Sequence, residues 1–268
     1  MKYQFLLLVC TAYFITSCEN KKTTEKTVQE APVEQAPEWK ALFNGENLDG
    51  WTMKISGKEL GENYGSTFRV DSGILKIRYD EYGSFDNQFG GLYYDQIFKN
   101  YRLKVEYRFV GETAPGAPEW GYRDSGVQYH CQSPQSLTID QAFPVCLEYN
   151  LHGGNGTDDR PVGEICASGT FVEIDGVVTK SYSTPATVPI TFHGDQWVTL
   201  EIDVQDSVIS HFANGEKILT YTNPRYNPDH DLGKTFIADS SDRVTEGYIS
   251  LQSNSHPIDF RKIEIMEY

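Results

Sequence analysis

An all-β fold, built as an antiparallel β-sandwich, is what this sequence predicts, and three observations predict it. Short β-rich runs with period-two alternation recur along the chain. Gly, Asn, Asp and Pro punctuate these runs at close spacing. No long stretch carries the 3.6-residue period of an amphipathic helix. Many strands without helices between them bury their apolar faces by packing two antiparallel sheets together.

The start of the chain reads separately. Met1-Lys2 is basic, and the apolar run from Phe5 to Ile15 is shorter than the roughly 20 residues of a membrane span. This is the pattern of a secretory signal, residues 1–17. Its end, Ile15-Thr16-Ser17-Cys18, resembles the lipobox of bacterial lipoproteins, where the Cys after the cleavage point is lipidated and becomes the new N-terminus. From Glu19 to Glu38 the chain is Lys, Thr, Glu, Gln, Pro and Ala with almost no large apolar side chains. Such a segment buries too little surface to offset its ordering entropy. Residues 18–37 are therefore expected to be a lipidated Cys18 and a disordered tether. The chain reads as an exported lipoprotein anchored to a membrane, at the outer membrane surface or in the periplasm. Residues 38–268 remain, a length that suits one sandwich or barrel domain.

The formal charge of −15 excludes the basic footprint of a nucleic-acid partner. Aromatics are 13% of the residues, a share that suits strands first and a sugar-stacking surface second. Of the five Cys, Cys10 leaves with the signal and Cys18 is the anchor, so Cys131, Cys146 and Cys166 remain. An oxidising compartment permits one disulfide, with Cys146–Cys166 the expected pair. Their spacing is not that of a zinc site. The oligomeric state is left open.

Along the domain, Thr67 to Val70 and Ile74 to Arg78 flank Asp71-Ser72-Gly73, a hairpin signal. Tyr101, Leu103, Val105, Tyr107 and Phe109 alternate with Arg102, Lys104, Glu106 and Arg108. Val198, Leu200, Ile202 and Val204 alternate in the same way, and Asn214-Gly215 turns the strand ending at Ala213 into the one returning to Tyr221. Ile174-Asp175-Gly176-Val177 is a further hairpin signal, and Gly247 to Gln252 with Ile258 to Ile265 closes the chain as a last pair of strands. Two long irregular stretches interrupt the pattern, 111–124 and 153–169. Long loops in a compact domain are commonly functional.

Period two also sorts side chains onto faces. Val127 and Tyr129 oppose Gln128 and His130. Val145, Leu147, Tyr149 and Leu151 oppose Cys146, Glu148, Asn150 and His152. Ile249 and Leu251 oppose Tyr248, Ser250 and Gln252. Three strands thus present amides, imidazole, one carboxylate and an aromatic ring on their non-core faces, a set that suits a sugar groove better than a solvated face. The plain alternative is that any half-buried antiparallel sheet has a polar face. For His130 alone, a packed or surface histidine is the stronger reading. His152 sits at a strand end before Gly153-Gly154-Asn155-Gly156, open to either site or loop, and His256 is placed at the groove rim. His193 and His230 read as loop residues. Asp158-Asp159 reads as turn chemistry ahead of a calcium site. There is no Gly-rich phosphate loop, nucleophile elbow or HExxH.

Leu42-Phe43-Asn44-Gly45-Glu46-Asn47-Leu48-Asp49-Gly50-Trp51 resembles the opening signature of the 3-keto-disaccharide hydrolase family. Asp124-Ser125-Gly126-Val127, Leu147-Glu148-Tyr149-Asn150, Gly194-Asp195-Gln196-Trp197, Asn214-Gly215, Gly247-Tyr248-Ile249-Ser250-Leu251-Gln252 and Phe260-Arg261-Lys262-Ile263 follow in the family's order. The resemblance implies a concanavalin-like jelly roll, a carbohydrate ligand and cleavage of glycosides oxidised to a ketone at sugar carbon 3. It points to Glu148 as a site residue. Asn150 stands where Gln is commoner, and Ser253-Asn254-Ser255-His256 lengthens the usual link, so substrate choice stays open.

A ketone at carbon 3 acidifies the proton on carbon 2, and removing it lets the glycosidic oxygen leave carbon 1. Elimination followed by hydration is net hydrolysis; elimination alone is a lyase reaction. Glu148 or His130 is expected as the base, with Gln128, Asn150, Tyr248, Gln252 and His256 binding the sugar. A divalent metal held by some of His130, Glu148 and His256 would stabilise the enolate; no other cofactor is implied. The competing readings are a non-catalytic carbohydrate-binding module and a structural surface protein. A carboxylate and an imidazole on one groove face favour the enzyme, since a binder needs neither.

Overall fold

The computed structural model describes residues 37–238 and 241–268. The signal, Cys10, Cys18 and nearly all of the tether lie outside the described residues. Residues 37–268 form two antiparallel sheets face to face, a jelly-roll sandwich as the alternation predicts.

One sheet has seven strands, in spatial order Ser183–Thr184, Ile165–Ser168, Cys146–His152, Asp124–Cys131, Tyr248–Ser253, Gly90–Tyr94 and Trp51–Ile55. The larger sheet runs through Val177–Thr179, Thr170–Ile174, Glu216–Tyr226, Val208–Ala213, Val198–Gln205, Tyr101–Phe109, Ile258–Glu267, Ile74–Ile77 and Phe68–Asp71, with Lys40–Ala41 also paired to Ile258–Glu267. Tyr101–Phe109 shows the expected alternation in full: Tyr101, Leu103, Val105, Tyr107 and Phe109 are buried, and the intervening residues are half-buried. Its pairing with Val198–Gln205 puts Val105 opposite Leu200 and Leu103 opposite Ile202. Burying such side chains contributes roughly 1.5–3 kcal/mol each.

The hairpin signals hold. Ser72 and Gly73, Asp175 and Gly176, and Asn214 and Gly215 all take positive φ in two-residue turns. Two central residues at positive φ give the turn whose twist matches a hairpin, and Gly reaches that region without steric penalty. The closing pair is different from what alternation suggested. Tyr248–Ser253 lies in the seven-stranded sheet and Ile258–Glu267 in the other, so Asn254 to Pro257 carries the chain across the sandwich.

The two central strands of the smaller sheet, Asp124–Cys131 and Cys146–His152, are buried on both faces. Val127, Tyr129, Leu147, Tyr149 and Leu151 pack inward against the larger sheet. The opposite, polar face is covered as well, because the irregular stretches fold over it. This is what turns a sheet face into a pocket.

The expected Cys146–Cys166 disulfide is absent: Cys131, Cys146 and Cys166 are free and buried. Cys146 pairs with Ser168 and Cys166 with Glu148, so the two cysteines are diagonal neighbours on adjacent strands. Diagonal positions lie about 7–8 Å apart, beyond the roughly 4.4–6.8 Å Cα span of a disulfide. Cys131 and Cys146 instead pack with Tyr93 in a small apolar cluster.

Candidate active site

Register builds the site. Gln128 lies directly opposite Glu148, Gly126 opposite Asn150 and Asp124 opposite His152. On the other side, Ser250 pairs with Gln128. Outward positions of five strands of this sheet therefore converge on a cavity of about 320 Å3 lined by Trp120, Asp124, Phe143, Glu148, Asn150, His152, Glu164, Cys166, Tyr182, Ser183, Gln252 and Asn254. The floor is polar and comes from the sheet. The walls are aromatic and come from the covering segments.

Glu148 is at the floor and only 4% exposed. Its Oε2 accepts from Gln128 Nε2 at 2.8 Å and from Gln252 Nε2 at 3.1 Å. Oε1 receives no hydrogen bond among the described residues. Burial pushes this carboxyl up to about 8; the Gln128 hydrogen bond opposes that rise, and the charges of Asp124 and Glu164 add to it. Room for the side chain comes from Gly126, where a Cβ would sit 2.5 Å from Glu148 Cδ.

His152 closes one side. Its Nδ1 lies 3.0 Å from the Pro161 carbonyl, so that nitrogen donates, and Nε2 lies 3.0 Å from Asp124 Oδ2 and 3.9 Å from Glu164 Oε1. Burial lowers its affinity for a proton, but the hydrogen bond and charge of Asp124, with Glu164, outweigh burial and leave it raised. Asn254 Nδ2 donates to Asp124 Oδ1 at 2.5 Å, and Asn150 Nδ2 donates to Glu164 Oε1 at 2.9 Å. Three amide oxygens lining the cavity, Asn150 Oδ1, Gln252 Oε1 and Asn254 Oδ1, are buried without a partner among the described residues. Unpaired buried acceptors are costly, and all three belong to residues that line the cavity.

Of the residues singled out by the sequence, Glu148, Asn150 and Gln252 line the cavity, and Gln128 stands beside it, bonded to Glu148. Three do not join them. His130 takes positive φ, and the pairing with Tyr248–Ser253 shifts register there. This bulge breaks period two: Tyr129 and His130 pack as neighbours, with the His130 ring 6.1 Å from that of Tyr101 on the larger sheet. His130 is thus a core histidine, pushed down to about 4 by burial. Tyr248 is on the expected face but too far along the strand, opposite Cys131 and against the Tyr93 cluster. His256 is fully buried beneath the rim, with Nδ1 2.8 Å from the Thr113 hydroxyl and its ring against Phe109 and Tyr122. His130, Glu148 and His256 are therefore not brought together, and the proposed metal set does not fit. No group of three or more His, Cys, Asp or Glu placed to hold a metal ion occurs among the described residues.

The residues that period-two sorting missed come mostly from the two irregular stretches: Trp120 and Asp124 from the first, Glu164 from the second. Trp120 is 51% exposed and stacks at 5.5 Å, 10° from parallel, on Phe89, so one indole face is held and the other is free. Phe143 and Tyr182 carry no sequence signal. Asp158 belongs to a turn capped by Asn155, whose side chain accepts from the Thr157 and Asp158 amides, as its turn chemistry suggests.

Residues 38–266 match the family described as 3-keto-alpha-glucoside-1,2-lyase-like domain. A candidate glycosyl hydrolase from Parabacteroides distasonis superposes with a TM-score of 0.51 at 17% identity, over 86% of this chain and 94% of that one. The exoplasmic domain of VIP36, bound to Ca2+ and Man3GlcNAc, superposes with a TM-score of 0.50 at 11% identity, over 86% and 90%. At these identities the likeness is one of fold. No curated protein matches the sequence. With the match spanning nearly all of the folded domain, the chain belongs to the 3-keto-alpha-glucoside-1,2-lyase-like domain family.

Proposed function

We propose that this protein cleaves glycosides whose sugar carries a ketone at carbon 3, by proton abstraction at carbon 2 and elimination. The observation that carries the reading is Glu148, a carboxyl on a polar pocket floor, gripped on one oxygen by two amides and pushed up to about 8. A proton next to a ketone is weakly acidic, and a base with a raised pKa is better matched to it than an ordinary carboxylate. Oε1 takes the carbon-2 proton. Each amide NH2 has two hydrogens, so Gln252, with one given to Glu148, keeps one for the enolate oxygen. Asn150 Oδ1, Gln252 Oε1 and Asn254 Oδ1 accept from sugar hydroxyls, and Trp120 offers its free face to the ring. Water adding to the unsaturated product gives net hydrolysis; its absence gives the lyase outcome.

A carbohydrate-binding module is the second reading, supported by the same unpaired amide oxygens and aromatic walls. A binder gains nothing from a buried carboxyl that is largely protonated at neutral pH, and this favours the enzyme. We further propose that Cys18 carries a lipid that holds the domain at the cell envelope. Incubation with a 3-keto glucoside and its unoxidised parent separates the readings: the enzyme releases the aglycone from the keto form alone, and the module binds without release.

A further inference from the structure

A second cavity, of about 300 Å3, adjoins the first. It is lined by His152, Asp159, Arg160, Pro161, Glu164, Pro185 and Ala186. His152 and Glu164 belong to both cavities. A glycoside with its keto sugar over Glu148 would leave the first cavity past the imidazole, and the atom that crosses there is the one joining sugar to leaving group.

We infer that His152 is the acid that protonates the departing glycosidic oxygen, and that the leaving group lies in this second cavity. The inference rests on the proposed elimination and adds its second proton. When Glu148 takes the carbon-2 proton, the electron pair passes into the enolate at carbon 3. As the ketone re-forms, a double bond forms between carbons 1 and 2 and the carbon 1–oxygen bond breaks. An alkoxide is a poor leaving group, and a proton from Nε2 of His152 lets it depart as an alcohol. Glu148 then carries a proton and His152 has lost one, so exchange with solvent restores both and no water is consumed by the cleavage.

The geometry fits that role. Nδ1 is committed to the Pro161 carbonyl, so the proton to be given is the one on Nε2, which rests against Asp124 Oδ2 at 3.0 Å, with Asn150 Nδ2 3.2 Å from the same nitrogen, and must turn from Asp124 to the glycosidic oxygen. Asp124 and Glu164 face the ring and favour its charged form. Arg160 is the opposing charge, but its guanidinium is tied to the Tyr122 and Gly153 carbonyls and reaches Asp124 Oδ2 at 3.8 Å. Glu148 and His152 sit four residues apart on one strand, hence on one face. The second cavity mixes apolar Pro161, Pro185 and Ala186 with Asp159 and Arg160, a lining suited to a ring that carries hydroxyls, such as a second sugar.

The test is a leaving-group series. Purified protein and H152Q are assayed on 3-keto glucosides that differ only in aglycone, from glucose and methanol to 4-nitrophenol. We expect H152Q to lose at least about 100-fold on the alkoxide substrates and less than tenfold on the 4-nitrophenyl substrate, whose phenolate departs without help. Activity on the latter also reports that the variant is folded. The unmutated protein supplies an independent check: its rate on alkoxide substrates should fall at high pH as His152 loses its proton, and its rate on 4-nitrophenyl should not. Equal losses across the series, or parallel pH profiles, overturn the role of His152. Inactivity of the unmutated protein on every member overturns the elimination itself, a distinct outcome.

Discussion

Replacing Glu148 with Gln removes a buried carboxyl from the pocket floor and leaves its shape nearly unchanged. Burial holds this group at about 8 in place of its ordinary 4.5. At about 1.4 kcal/mol for each tenfold change in proton affinity, the buried anion is disfavoured by on the order of 5 kcal/mol. The sign follows from linkage. The folded chain keeps a proton that the unfolded chain releases near 4.5, so this contribution to stability is complete below pH 4.5 and is lost as pH rises through 8. Glu148→Gln has no such titration. In thermal melts from pH 5 to pH 9 the unmutated protein should lose ground against the variant by roughly 10 °C, taking about 2–4 °C per kcal/mol at this size. Kinetics report the same group. On a 4-nitrophenyl 3-keto glucoside, whose leaving group needs no acid, the kcat/KM of the unmutated protein should rise about tenfold from pH 6 to pH 7 and level off above 8, while Glu148→Gln should fall at least about 100-fold. A melting difference that stays constant with pH would refute the perturbed carboxyl. Turnover within a few-fold of the unmutated rate would refute the base.

Other expectations follow from the same pocket. Gly126→Ala puts a methyl where Glu148 Cδ allows 2.5 Å, so steady-state rates should drop by about 100-fold or more; an unchanged rate would show that the carboxyl has room elsewhere. Gln252→Leu removes one of two donors to Glu148 Oε2, and since a hydrogen bond to the anion favours it, the midpoint of the pH–rate profile should move upward; a downward move counts against the assignment. Trp120→Ala takes away a half-exposed indole that rests on Phe89, so KM should rise with little change in kcat or melting temperature, by about two- to tenfold if stacking is worth 0.5–1.5 kcal/mol. Leu147→Ala empties a fully buried position between the sheets and should destabilise by about 2–5 kcal/mol in denaturant titration.

Period two made much of this molecule legible. Gln128, Glu148, Asn150 and Gln252 are on the face that alternation assigns them, because their strands run regularly there and one face must meet the core. Alternation failed at His130, where a positive-φ bulge adds a residue and turns the ring inward. It also gave no depth along a strand: Tyr248 shares the face of Gln252 yet sits beside Cys131. His256 follows a strand end, a position that suggests a rim, but the segment from Asn254 to Pro257 crosses between sheets and buries it. Trp120 and Glu164 come from irregular segments whose path no local pattern encodes, although the length of those segments marks them; Asp124 opens the strand Asp124–Cys131 on the face of Gln128, where alternation extended four residues back would find it. Phe143 and Tyr182 are placed only by tertiary packing.

The most direct test is product analysis. The purified protein is incubated with a 3-keto glucoside and with the same glucoside unoxidised, and products are identified by mass. We expect the aglycone to be released from the keto form alone, alongside an unsaturated keto sugar or its hydrate. Release from both forms, or from neither alongside measurable glycan binding, would contradict the elimination centred on Glu148.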